Sequence, residues 1–365
     1  MLKAAIITLQ YNFNYGNRLQ NYAVQNLLEQ CKVEAVTLFN KDYTEYCYPY
    51  FQREDWFRWI KYVIRKILFF RKISSAVSGK FDRFNREYIR WGELFDTDTE
   101  LSFLNEKYDF FVAGSDQIWN PEWNLSMEKE YLMFADYDKT IAFSGSFGVS
   151  VLPEGKKQKI KAGLEHIKYL SVRENQGADI IRELTGRDVP VLIDPTMGID
   201  IECWKQLENP VKGITDERYV LCYVLGNMTE DMKSLAERYA LEQGLKIYYL
   251  EDFFVNWQVV GPQEFLYLIH HAELVITDSF HGCVFSLLYH VNLKVFKRVT
   301  AAKEDMNSRI YTLFEKFSLP LEYLWFQEET LNFSLGEKEW NRFEEILEQE
   351  RNRQKIFLLS ALSQQ

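Results

Sequence analysis

The sequence has no GxGxxG and no GxxxxGK[ST], so neither a dinucleotide fingerprint nor a P-loop is expected. HExxH and Cys/His clusters are missing, and FSGSFG (143–148) approaches GxSxG without its spacing. The five cysteines, Cys31, Cys47, Cys203, Cys222 and Cys283, form no CxxC pair. An odd, scattered set reads as reduced thiols in the cytoplasm. Histidine is equally scarce: His166 and His290 stand alone, and His270-His271 are helix neighbours, which do not share a face. No metal site is therefore expected. No run approaches the length of a membrane span, and the opening MLKAAIITLQ suits a first strand better than a secretory leader. Positive charge is short overall, and a net charge of −10 argues against nucleic acid as a partner.

What is present is apolar and aromatic. Hydrophobic residues make up 47% of the 365 positions, enough for more than one core. AAIITL (4–9) is followed by a polar glycine loop and then a helical pattern with Leu19, Ala23 and Leu27 on one face. The same plan recurs at YDFFVAGS (108–115) and TIAFSGSFG (140–148). YLSVRE (169–174) and VPVLID (189–194) read as two more strands around a helix near 175–184. After DPTMGIDIECW the plan restarts, with strands at 218–226, 245–250, ELVITDS and 292–298, and a terminal helix from about Glu337. Continuous apolar runs imply parallel sheets covered on both faces. The expectation is an α/β protein of two Rossmann-like units: an N-terminal domain over 1–200, a C-terminal domain over 201–335, and a helix over 336–365.

One segment departs from this plan. WFRWIKYVIRKILFFRK (56–72) alternates an apolar face with Arg58, Lys61, Arg65, Lys66, Arg71 and Lys72. It reads as a basic amphipathic helix within an insertion at about 45–95, either packed on the N-terminal domain or lying on a membrane surface.

Sites in open α/β sheets lie beyond the carboxyl ends of strands. There, NFNYGNRLQNYA (12–23) offers Asn14, Gly16, Asn17, Arg18 and Gln20, with Gly16 allowing close backbone approach and Asn17 as a helix cap. VAGSDQIWNP (112–121) offers Ser115, Asp116, Gln117, Trp119 and Asn120. Asp116 could accept a hydroxyl proton and Trp119 could stack on a sugar. Arg173 follows a strand and presents a planar fork for a carboxylate or phosphate. His281, in VITDSFHG, stands at a strand end with Gly282 opening the next helix. Each feature also has a plain alternative, as a turn, a cap or a surface ion pair.

NYGNRLQNYA, VAGSDQIWNP, SFG, SVRE followed by LIDPT, and VITDSFHG occur in one order from about residue 4 to about 320. In this the chain resembles the polysaccharide pyruvyl transferase family. The resemblance implies a GT-B-like fold, two Rossmann-like domains with parallel sheets facing a central cleft. It implies transfer of a pyruvyl group from phosphoenolpyruvate to a sugar of a bacterial surface polysaccharide or exopolysaccharide, or its lipid-linked precursor. A ketal forms and phosphate leaves. Phosphoenolpyruvate is then a substrate and no cofactor is implied; the partners are this donor and a saccharide acceptor. The expected place is the cytoplasm, with the inner membrane face within reach of 56–72.

By the same resemblance Arg173 and His281 hold the donor; from their own chemistry, His281 as proton donor and Asp116 as acceptor of the hydroxyl proton are the expected catalytic pair. The chain departs from the family at Ser279, where many members carry arginine. Either the cleft recruits another cation, with Arg309 preferred over Arg298 and with Arg18 available from the opposite domain, or the donor is not phosphoenolpyruvate. Two further readings stay open: a glycosyltransferase using a nucleotide sugar, and a non-catalytic carbohydrate-binding relative.

Overall fold

Two parallel sheets organise the chain in the computed structural model, which describes residues 1–10, 14–40, 79–96, 98–122, 127–214, 217–250, 260–298, 307–320, 324 and 335–363. The segment 56–72 lies outside the described residues. Strands β1 (Leu2–Ile7), β2 (Val33–Asn40), β3 (Trp91–Phe95), β4 (Phe110–Ala113), β5 (Thr140–Gly145) and β6 (Tyr169–Val172) form the first sheet, ordered β3-β2-β1-β4-β5-β6. Every pairing in it is parallel. Strands β7 (Tyr219–Tyr223), β8 (Lys246–Tyr249), β9 (Leu274–Thr277) and β10 (Asn292–Val295) form the second, ordered β10-β9-β7-β8 and also parallel. The fold is α/β and GT-B-like.

Burial explains the continuous apolar runs. All of Phe110–Ala113 and Leu274–Thr277 is buried, as a strand covered on both faces requires. Both sheets reverse winding once, between β1 and β4 and between β7 and β9. Such reversals open a crevice at the strands' carboxyl ends.

VPVLID does not form the strand expected of it. Only Val191 makes an isolated bridge, to Val172, and the rest runs as extended chain into the helix Pro195–Gly198. At Pro190 and Pro195 the missing N–H groups limit a ladder there.

Aromatic contacts help to join the halves. Tyr15, at the start of the helix Tyr15–Gln30, stacks on Phe265 of the helix Pro262–His270 at 4.6 Å and 2°. Trp204 meets Tyr22 of the first half at 5.5 Å and Phe285 of its own half edge-on at 5.1 Å. The long helix Glu337–Leu362 packs Phe343 against Phe317 at one end and Phe357 against Phe143 at the other. No helix among the described residues is long and apolar enough to cross a membrane.

Candidate active site

Residues from five strand-end loops converge where the two crevices meet. Arg173, which follows β6, is at the centre, its side chain fully buried. One terminal nitrogen donates to Asp116 Oδ1 at 2.7 Å and the other to Asp194 Oδ2 at 2.6 Å. Asn17 Nδ2 donates to the second oxygen of Asp116. Asp194 uses Oδ1 to cap Thr196, accepting from its amide at 3.0 Å and its hydroxyl at 2.7 Å. Ser115 Oγ, bonded to Ser144 O at 2.9 Å, lies 3.3 Å from Asp194 Oδ2.

The second half contributes His281, from the first turn of the helix Phe280–Leu288. Its Nε2 lies 3.8 Å from Asp194 Oδ2 and makes no hydrogen bond among the described residues. The opposite face of the ring presses on Gly16, where a Cβ would overlap the imidazole. Gly16 is therefore required by close approach across the halves. Phe280 lies beneath two guanidinium groups, 4.6 Å from Arg173 and 5.6 Å from Arg309.

Arg309 comes from the helix Ser308–Lys316 and is 4% exposed. Its Nη1 lies 3.9 Å from Asp116, and the Gln117 amide, with its oxygen turned inward, accepts from both terminal nitrogens at 3.0 and 2.9 Å. Of the three cations that could take the place of the family's arginine, Arg309 is the one in the cluster. Arg298 instead pairs with Asp278, at 3.5 Å, and Arg18 donates to the Gln10 carbonyl at 3.2 Å.

Charge and burial set the protonation states. Burial opposes charge on Asp116, but Arg173, His281 and Arg309 outweigh it and hold the carboxyl at about 2. Asp194 is likewise lowered despite burial, chiefly by Arg173. Desolvation lowers His281, so the buried ring favours its neutral form. Arg309 is pulled down to about 9, by burial first and by Arg173 second. Glu174, beside Arg173 and accepting from Ser146 Oγ at 2.8 Å, is raised by burial.

Several sequence expectations are corrected here. Asn14, not Asn17, caps the helix, accepting from the Asn17 amide at 3.1 Å. Gln20 is tied to Thr8 at 2.7 Å and Arg18 to Gln10, so both fasten strand ends. Trp119 offers no face to a sugar: it is 2% exposed, stacked on Tyr131 at 5.4 Å and covered by Gly145. Asn120 closes a turn by accepting from the Glu122 amide at 2.9 Å. Asp116, with both oxygens bonded and its carboxyl near 2, is an ion-pair carboxylate rather than a poised base.

The helix start is also more occupied than expected. Ser279 caps it by accepting from the Gly282 amide at 3.3 Å, so that amide is not presented to a ligand. Gly282 is small because Thr277 Oγ1 and Tyr223 crowd it. Asp278 accepts from the Leu225 and Gly226 amides at 2.7 and 2.8 Å, bracing the second crevice rather than the helix.

Asp194 and Phe280 were not identified from sequence. The Asp-Pro-Thr of LIDPT carries a capping signature that accounts for only one of the Asp194 oxygens. Nothing local marks Phe280.

The family model for polysaccharide pyruvyl transferase matches residues 14–293, and the chain belongs to that family. No curated protein matches it significantly. Among solved structures it is similar to the UDP-GlcNAc 2-epimerase of Neisseria meningitidis, solved with UDP-GlcNAc bound. Identity there is 10%, with 99% of this chain and 94% of that one covered at a TM-score of 0.50. A candidate UDP-N-acetylglucosamine 2-epimerase of Listeria monocytogenes matches at 12% identity, 97% and 90% coverage and a TM-score of 0.49. These likenesses concern the fold.

Proposed function

We propose that this chain transfers a pyruvyl group from phosphoenolpyruvate to two hydroxyls of a saccharide belonging to a surface polysaccharide or its lipid-linked precursor. Family membership supports the reaction class. The observation that carries the choice of donor is the buried convergence of Arg173, Arg309 and His281. Arg173 is matched by Asp116 and Asp194. Arg309 is the guanidinium whose charge burial disfavours most, so an arriving anion would stabilise it most.

In this reading Arg309 and His281 hold phosphate and carboxylate, while Asp116 and Asp194 fix Arg173 between them. A bound phosphate raises the basicity of His281 and gives it a proton. That proton passes to C3 of the donor as the double bond opens, leaving positive charge at C2. One acceptor hydroxyl bonds to C2 and returns its proton to His281. The C2–O bond to phosphate then breaks, the electron pair leaving with phosphate. The second hydroxyl closes the ketal at C2, and its proton ends on phosphate. The residues up to about 200 form the acceptor side, with Arg173 reaching the donor.

Thermal shift with separate ligands tests the donor. Phosphoenolpyruvate should raise the melting temperature, and UDP- and GDP-sugars should not. Arg309→Ala should weaken phosphoenolpyruvate binding at least about tenfold, the worth of a charge-assisted bond. Stabilisation by a nucleotide sugar alone would overturn the reading.

A further inference from the structure

A second cluster of chemistry-bearing side chains lies at the other end of β9. Glu208 follows the helix Ile201–Leu207, in the connection between the two sheets, and its backbone turns extended there (φ −58°, ψ 141°). His270 is the last residue of Pro262–His270, and His271 caps it at φ −97°, ψ 5°. Adjacent residues within a helix point apart, but this helix ends between the two. Both imidazoles consequently face one carboxylate. His270 Nδ1 is 2.8 Å from Glu208 Oε1, and His271 Nδ1 is 3.9 Å from Oε2. The three ligand atoms lie within 4.8 Å of one another.

We propose that Glu208, His270 and His271 bind a divalent transition-metal ion of the zinc class, clipping the connection between the sheets to the second half. Two imidazoles and one carboxylate are a zinc donor set, with a fourth position for water. Nitrogen ligands disfavour magnesium and calcium, which take oxygen. Both rings are braced by aromatic neighbours. His270 stacks on Tyr289 at 4.4 Å and 14°, and His271 on Tyr267 at 4.1 Å and 25°. Glu208 is mostly buried, its side chain 10% exposed, while His271 is 44% exposed and gives the ion a way in. His271 Nδ1 also donates to the Tyr267 carbonyl at 3.0 Å, so closing the site turns this ring toward the ion. A divalent ion would take a nitrogen lone pair from each ring and supply the charge opposite to the carboxylate.

Untagged, chelator-treated protein titrated with zinc in a calorimeter tests this. One ion per chain should bind at about 1 µM or tighter, and millimolar magnesium should not compete. His271→Ala and Glu208→Gln should each weaken binding at least about tenfold. His290→Ala, which removes an exposed histidine elsewhere, should not. Should Glu208→Gln fail to fold, His271→Ala decides alone, since its ring is half exposed. No stoichiometric uptake, or equal uptake by His271→Ala, overturns the proposal.

Discussion

Asp116 adopts φ +69°, a left-handed conformation uncommon for a residue with a side chain. The turn aims the carboxylate back at Arg173 and Asn17 instead of along the chain. Its folded carboxyl near 2 lies below its ordinary 3.8. A depressed acid stabilises the fold above its unfolded value and loses that contribution as pH falls through its folded value. About 2 kcal/mol should therefore disappear between about pH 4 and about pH 2. Urea unfolding across that window should show the loss, and Asp116→Asn should not share it. Gly16 makes a sharper prediction. Gly16→Ala places a methyl into the His281 ring, and an ångström of displacement in such a site costs about 100-fold in kcat/KM. Phosphate release would read this, with circular dichroism reporting an intact fold. The residue types of the site were legible because strand-end polar groups stand out against apolar runs. Trp119 misled because an aromatic in a polar stretch looks exposed, and only the fold brings Tyr131, Phe147 and Gly145 around it.

Among elements, the terminal helix touches both halves. His290 stacks on Trp340 at 4.3 Å in the second half. Toward the other end, Gln354 Nε2 donates to the Ile193 carbonyl at 2.9 Å. Arg351 donates to the Met197 and Ile199 carbonyls, both at 2.9 Å, satisfying groups that the end of Pro195–Gly198 leaves open. Arg351→Ala should cost about 2 kcal/mol in denaturant-derived stability. Because Asp194 caps the start of that same short helix, the loss should also loosen Arg173. The terminal helix was plain from its apolar face, Phe343 and Leu347 both being buried. Its partners were not, since carbonyls at a distant helix end leave no mark in sequence. Glu208 eluded sequence reading for a similar reason: the pairing with His270 spans separate elements, whereas the adjacent histidines invited only a local rule.

At the scale of the whole molecule, two winding reversals meet, and the cluster of acids and bases occupies that junction. The number of sheets and their parallel sense followed from the apolar runs. Arg309 was preferred from sequence, but the route that brings it in was not visible there: its helix follows β10 and returns to the first half through Thr312, which accepts from the Asn175 amide at 3.1 Å. Order of synthesis gives this arrangement a consequence. A nascent chain that has emerged through Asp194 already holds Arg173 and the two carboxylates that bond to it, Asp116 and Asp194. The imidazole that leans on Gly16 arrives only with the second half, and Arg309 later still. Large chains fold region by region during translation. Affinity for an anion is thus acquired last, and a product that stops before Ser308 has the acids of the site without its full complement of cations.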